Sequence, residues 1–358
     1  MSTALLRPDR PPQDVCILRL SAIGDVCHIV PIVRTLQHAW PATRITWVIG
    51  RVEAKLLKLL PDVEFITVDK RSLRSGALAL RRAMRGRDFD VLLHMQTSLR
   101  ASLYSPLVPA RLRLGFDRAR ARELQWLFTN ARIAPRGNEH VLDAHFGFTE
   151  ALGIAERRLE WNLPIPPEAA QWARELVPDG ERTLLVSACS SRPVRNWRPE
   201  RYAALVDHAV RRHGLKVLLC GSPAQIERDM ASAIESHLTV PVRNIVGQDS
   251  LPQLLALLAR ATVLVTPDSG PAHMATMVGT PVVGLYAVTR TARTGPYLSR
   301  QWCVDRYAEA ALALRGRSAE LLRWPEQIAD AAAMDLVSVA DACARLDALL
   351  GPAKVAGA

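Results

Sequence analysis

Three short stretches of this sequence hold side chains that could act together on a phosphorylated substrate. The first, Thr266-Pro267-Asp268-Ser269-Gly270-Pro271-Ala272-His273, follows an apolar, β-branched run from Ala261 to Val265. Pro271 stands where the first turn of a helix tolerates proline. A helix starting at Ser269 or Gly270 aims unpaired N–H groups and a positive dipole end at whatever lies beyond the strand. That suits a phosphate, with Asp268 and His273 flanking it; the alternative is a plain turn capped by Asp268 or Ser269. The second stretch, Ser190-Ser191-Arg192-Pro193-Val194-Arg195-Asn196-Trp197, offers hydroxyls and a nearby guanidinium, a combination that suits a diphosphate or, more simply, a polar loop. In the third, Ser21-Ala22-Ile23-Gly24-Asp25, Gly24 permits close backbone approach and Asp25 is either a helix N-cap or a general base. Gly221-Ser222-Pro223 opens a further helix on which Glu227 could reach a ribose, although a solvated glutamate reads the same way.

Other chemistries are not supported. Neither half of the chain has G-x-G-x-x-G after its first strand, and no phosphate-binding G-x-x-x-x-G-K-[ST] loop occurs. Asp88-Phe89-Asp90 matches the D-x-D pattern of metal-dependent sugar transferases but precedes a strand in the first half, and is read as a chance match with no metal bound. His28, His94, His140 and His145 have no ligand spacing with cysteines or acids and read as structural. The cysteines (16, 27, 189, 220, 303 and 343) form no C-x-x-C pair and read as buried thiols in a reducing compartment.

These stretches need elements to hold them. At 358 residues the chain exceeds one ordinary core, so two domains are expected. Strand-like runs at 15–20, 44–49, 64–68, 91–95 and 112–115 alternate with helical segments at 21–39, 72–85 and 99–107, and Pro31 should kink the first helix or tighten its first turns. Leu163-Pro164-Ile165-Pro166-Pro167 reads as an extended linker. Alternation restarts with strands at 183–188, 216–220, 243–246, 261–265 and 282–286, and helices at 199–212, 223–236 and 251–258. The fold class is therefore α/β: an N-terminal Rossmann-like domain over 1–165 and a second over 166–336, with parallel sheets facing a cleft. A last amphipathic helix, Val339 to Leu350 within 337–358, is expected to pack back across the linker on the N-terminal domain.

The net charge is +11, and between Arg71 and Arg136 fourteen arginines face only Asp88, Asp90, Asp117 and Glu123. Such a field calls for an anionic partner: nucleic acid, a phospholipid surface, or a phosphorylated or carboxylated substrate. A basic nucleic-acid-binding regulator is the competing class, but aromatic residues are only 5% of the chain and no helix-turn-helix signature is present. No apolar run approaches the ~20 residues that span a bilayer, and Met1 to Asp14 has no signal-like apolar core, so a cytosolic protein is expected.

Taken together, Leu18-Arg19-Leu20-Ser21-Ala22-Ile23-Gly24-Asp25-Val26 with His28 and Pro31, then Arg195-Asn196-Trp197-Arg198-Pro199 and Asp268-Ser269-Gly270-Pro271-Ala272-His273, resemble glycosyltransferase family 9, the ADP-heptose:lipopolysaccharide heptosyltransferases. Pro281-Val282-Val283-Gly284-Leu285-Tyr286, and His140 ahead of Glu150-Ala151-Leu152-Gly153, extend the likeness, which spans roughly Val15 to Tyr286. The resemblance implies a GT-B fold and metal-independent, inverting transfer of heptose from ADP-heptose to Kdo of Kdo-lipid A, or its phosphorylated form. It places that reaction at the cytoplasmic face of the inner membrane, with the protein peripheral on an anionic surface; the sequence itself leaves the oligomeric state open, with a monomer the expectation. The resemblance further implies Asp25 as the catalytic base. Ser190, Ser191, Arg195, Glu227, Asp268, Ser269, Gly270 and His273 would bind the donor, and Gly24, Arg118, Arg120, Arg122 and His140 the acceptor. Arg195 stands where the related enzymes usually carry a phosphate-binding lysine, Ser269 replaces a frequent threonine, and residues 289–324 carry no motif of the family. Within the enzyme class, the alternatives are another nucleotide sugar or a protein acceptor.

Overall fold

The computed structural model describes residues 5–6 and 10–351. The chain divides into two compact units, Met1–Pro164 and Ile165–Ala358. Part of the charged N-terminal segment, and the last residues of the C-terminal segment, lie outside the described residues.

Unit 1 is built on strands β1 (Asp14–Leu18), β2 (Arg44–Gly50), β3 (Val63–Val68), β4 (Phe89–His94), β5 (Ala110–Gly115) and β6 (Ala131–Arg132). Helices α1 (Ile23–Cys27), α2 (Val30–Ala39), α3 (Arg51–Leu57), α4 (Leu73–Ala83), α5 (Leu99–Tyr104) and α6 (Val141–Ala151) connect or cover them. The strand order is β3-β2-β1-β4-β5-β6 and every pairing is parallel. β1 reads as a continuous apolar run because a parallel sheet is covered on both faces, and Val15, Cys16, Ile17 and Leu18 are fully buried. The single helix expected over 21–39 is two helices. Pro31 has no N–H to give to a preceding turn, so it sits in the first turn of a new helix, α2, instead of kinking an old one.

Unit 2 repeats the plan. Its strands are β7 (Thr183–Val186), β8 (Lys216–Leu219), β9 (Arg243–Asn244), β10 (Val263–Pro267), β11 (Val282–Tyr286) and β12 (Val304–Asp305), ordered β12-β11-β10-β7-β8-β9 and all parallel. Its helices are α7 (Pro167–Leu176), α8 (Pro199–His213), α9 (Gln225–His237), α10 (Leu251–Arg260), α11 (Gly270–Met277), α12 (Thr291–Thr294), α13 (Tyr307–Arg315) and α14 (Val339–Leu350). The last helix, α14, packs into the core of its own unit. Ala342 and Leu346, one turn apart on α14, are buried in the core of unit 2 with Leu205, Ala209 and Val304.

Read from its first strand, each sheet has the 3-2-1-4-5-6 order of a dinucleotide-binding fold. Such sheets bind ligands beyond the strand carboxyl ends, at the point where the order reverses. That point lies between β1 and β4 in unit 1 and between β7 and β10 in unit 2. Leu18 is level with His94, and Val186 with Val265, so the loops that follow leave their sheets side by side. No helix among the described residues is long and apolar enough to cross a membrane.

Candidate active site

In unit 1 the switch point is occupied by the turn from β1 into α1. Asp25 lies in the first turn of α1, and its Oδ2 accepts the Ala22 N–H at 3.0 Å. The same oxygen is 2.8 Å from Arg19 Nη2. Arg19 is itself fixed, donating to the carbonyls of Ser21 at 3.0 Å and Met95 at 2.6 Å. The Asp25 side chain remains 41% exposed while that of Arg19 is 11% exposed, so the carboxylate faces outward with a guanidinium behind it. Burial pulls the Asp25 carboxyl upward, but the Arg19 charge and the Ala22 amide outweigh it and hold the group below its ordinary range. Gln96 completes the turn, accepting the Leu20 N–H at 2.6 Å. Gly50 sits close by: a Cβ there would stand 2.5 Å from the Leu20 carbonyl oxygen.

Buried histidines stand behind this turn. His145, on α6, is driven down to about 3 by burial, then by Arg19, and therefore stays neutral beside the Asp25–Arg19 pair. His140 caps α6, its Nδ1 accepting the Leu142 N–H at 3.1 Å, and meets His28 edge-on at 5.4 Å between ring centroids. Gly24 is buried in α1. Of the arginines named for the acceptor, Arg118 lies over the Trp126 ring at 4.9 Å and Arg122 is exposed. Arg120 is engaged inside the unit by the carboxylates of Asp117 and Glu139 and by the Ala134 carbonyl. Asp88 and Asp90 lie at the opposite end of the strands, at the start of β4. Asp90 accepts the Gln13 and Asp14 amides, and Asp88 is 3.6 Å from Arg111.

Unit 2 brings the other two stretches together at its own switch point. Arg195 Nη1 is 3.0 Å from Asp268 Oδ2, and Thr289 Oγ1 donates to the same oxygen at 2.7 Å. Ser269 is the N-cap of α11, but its hydroxyl pairs with Thr266 Oγ1 at 2.7 Å and makes no cap bond. The amides that open α11 at Gly270 are thus left without a side-chain acceptor, and Arg195 Nε is buried with no partner. Unmet donors of this kind suit an anion. Ser190 is buried, its N–H held by Asn196 Oδ1 at 2.7 Å, whereas Ser191 is exposed. His273 is buried in the first turn of α11.

Glu227 Oε2 accepts the Ser222 N–H at 2.8 Å, and a Cβ on Gly221 would strike this carboxylate. Burial, with a smaller push from Glu227, raises Asp249 to about 6. Arg19, Asn196, Asp249 and Thr289 carry no site role in the reading of the sequence, although Asn196 lies inside a quoted stretch. Arg19 lies inside a quoted stretch, but nothing in its spacing shows that the turn folds it back onto Asp25. Thr289 falls in the segment without a motif. Among the described residues, one group has side chains converging as metal ligands do: His208 and His213 both meet Asp347 Oδ1, at 2.8 and 2.6 Å. It lies where α8 ends before β8, toward the strand ends opposite the phosphate-suited loops.

The family model of glycosyltransferase family 9 (heptosyltransferase) matches residues 77–322. The chain is 38% identical over 317 residues to the lipopolysaccharide core heptosyltransferase OpsX of Haemophilus influenzae, covering 88% of this chain and 91% of that protein. Its fold is similar to that of a family 9 glycosyl transferase from Veillonella parvula, with a TM-score of 0.77 at 21% identity over 98% of each chain. It is also similar to Escherichia coli heptosyltransferase WaaC solved with ADP, with a TM-score of 0.63 at 20% identity over 82% of this chain and 92% of that one.

Proposed function

Because this chain belongs to glycosyltransferase family 9, we propose that it transfers heptose onto the lipopolysaccharide core, and specifically L-glycero-D-manno-heptose from ADP-heptose to a Kdo sugar of Kdo-lipid A or its phosphorylated form. The Haemophilus relative carries a lipopolysaccharide core heptosyltransferase name, and a structural neighbour was solved with ADP. The observation that carries the reading is the anion-receptive switch point of unit 2, where Arg195 Nε and the uncapped start of α11 offer unmet donors.

The residues then take these roles. Asp25 accepts the proton of the acceptor hydroxyl as that oxygen attacks the anomeric carbon from the face opposite the diphosphate. The bond from that carbon to the departing phosphate oxygen breaks, its electron pair leaves with ADP, and the configuration inverts. The amides of Ser269 and Gly270, the hydroxyls of Ser190 and Ser191, and Arg195 stabilise the departing charge. Asp268, anchored by Thr289, holds Arg195 in place and faces the heptose. Glu227 takes the ribose, and His273 lies beside the diphosphate. Gly24, Arg118 and Arg122 line the acceptor side, while Arg120 and His140 act from behind by holding the loops that shape it.

This reading needs no metal, because fixed donors and a guanidinium meet the developing negative charge. The one D-x-D pair lies at the far end of the strands from Asp25, with Asp90 already accepting two amides. The enzyme works as a monomer, peripheral on the anionic cytoplasmic face of the inner membrane, and nucleic acid is not its partner.

The test is an assay of purified protein with ADP-heptose and defined Kdo-lipid A acceptors, with and without a Kdo phosphate, read by mass spectrometry. One added heptose, in EDTA as well as without it, is the expected result. No mass gain on any Kdo acceptor, or preferential use of UDP- or GDP-sugars, overturns the reading; loss of transfer in EDTA overturns its metal-free form.

A further inference from the structure

Unit 1 concentrates exposed apolar side chains in one region, with Leu5, Val52 and Leu159 exposed singly elsewhere. Of thirteen large apolar residues exposed among the described residues, six (Leu73, Leu78, Leu99, Leu103, Leu124 and Leu127) fall on α4, on α5 and in the loop at 122–127. Contacts make these three elements neighbours. α4 packs on α5 at Gly76, where a Cβ would strike the Tyr104 hydroxyl, and that hydroxyl donates to the Leu73 carbonyl at 3.3 Å. Glu123, in the loop, accepts the Leu99 N–H at the start of α5 at 2.6 Å. Leu99 and Leu103 are one turn apart on α5. On α4, Arg74, Leu78 and Arg81 recur at helical spacing along the face opposite the buried Gly76 and Leu80.

The charges around these leucines have no partners. Elsewhere in the basic stretch several arginines are spent internally: Arg87 on Glu64, Arg111 near Asp88, Arg113 on the Ser105 and Val108 carbonyls, Arg120 on Asp117 and Glu139, and Arg136 on Glu150. Arg74, Arg81, Arg82, Arg85, Arg100 and Arg122 are exposed and make no ion pair among the described residues. Exposed leucines ringed by unpaired arginines match a lipid interface. Apolar side chains enter the boundary between headgroups and acyl chains, while guanidinium groups stay at the level of the phosphates.

We propose that α4, α5 and the 122–127 loop form a face that inserts its leucines into an anionic phospholipid bilayer, and so attaches unit 1 by burial as well as by charge. This deepens the proposed function, whose acceptor is a membrane lipid. The test uses neither donor nor acceptor, so its failure and the failure of the transfer reading are separate results.

Full-length protein is sedimented with vesicles of phosphatidylglycerol and phosphatidylethanolamine, and with phosphatidylcholine alone, at low and high salt. Anionic vesicles should be bound and phosphatidylcholine ignored, with part of the binding surviving high salt. Leu99→Ser with Leu103→Ser, both at exposed positions, should weaken partitioning roughly tenfold or more and remove the salt-resistant part. Arg81→Gln with Arg82→Gln should weaken binding roughly tenfold, and only at low salt. Unchanged thermal melting of each variant separates these effects from misfolding. Absence of binding to anionic vesicles overturns the proposal. So does binding that salt abolishes and the leucine variant leaves intact, which is adsorption by charge alone. Self-association of the free protein that disappears in the leucine variant assigns the face to a second copy, and also overturns it.

Discussion

Asp25 and Arg19 set the terms of the chemistry at the residue scale. A base paired with a guanidinium is a weaker base, but it stays ionised further into acid. Asp25→Ala should lower turnover by about 10²–10⁴-fold, the range a positioned general base supplies, with little change in ADP-sugar binding; steady-state kinetics beside calorimetric titration checks both. The sign of the pH effect follows from the depressed carboxyl. As the proposed base, Asp25 would act only when deprotonated, so the acid limb of the kcat profile should lie below the ordinary aspartate value of about 3.9. Arg19→Gln removes the charge that lowers it, so the limb should move to higher pH. A limb that stays put in Arg19→Gln separates the observed titration from Asp25. Much of this site is legible in sequence as three polar turns after apolar runs. What those turns do not display is who holds whom: the Arg19–Asp25 and Thr289–Asp268 contacts join residues through folded loops, which local spacing does not encode.

The elements carry their own signals with unequal clarity. The strand at Val282–Tyr286 and the helix at Val339–Leu350 are bounded in the structure as their patterns read, because each combines a strong pattern with turn or cap residues at its ends. Helix α6 is different. Leu142, His145, Phe146, Gly147, Phe148 and Thr149 are all buried, so no amphipathic stripe marks it out. Strands β6 and β12 are two residues long, too short for any period to show. α14 is held by a cap and by an ionic cluster, and both can be tested. Ser338 Oγ accepts the Asp341 N–H at 3.0 Å, so Ser338→Ala should cost about 1 kcal/mol in chemical denaturation. Burial pulls Asp347 upward, but His208, His213 and Arg212 together bring it below its usual value. A depressed carboxyl stabilises the fold above its unfolded value, and the contribution is lost as pH falls through the folded one. Asp347→Asn should therefore flatten the stability–pH curve of this unit at the acid end, measured by urea melts across pH.

At the scale of the whole molecule, the same sheet order occurs in both units, and each unit presents one reactive loop pair at its own reversal of strand order. The proposed function divides the labour between them: one unit offers a base and a basic, partly apolar surface, the other a set of donors for a diphosphate. Binding of a nucleotide to unit 2 should then stabilise that unit by mass action. ADP at a hundred times its dissociation constant should add about 2.7 kcal/mol, seen as a rise in the calorimetric transition of unit 2. An equal rise with UDP would remove adenine selectivity from the donor site.

The order of types along the chain was enough to determine a great deal by itself: apolar runs long enough for buried parallel strands, turns whose residues suit a phosphate or a base, and a family likeness spread over most of the length. These are local properties, written in the identity of neighbours. Tertiary structure alone decided which arginines are spent inside and which remain for a partner, where the last helix packs, and which residues stand behind Asp25 and Asp268. Those outcomes depend on contacts between positions far apart in sequence, such as Arg19 with Met95 and Leu99 with Glu123, and no local pattern specifies a contact that only the closed sheet creates.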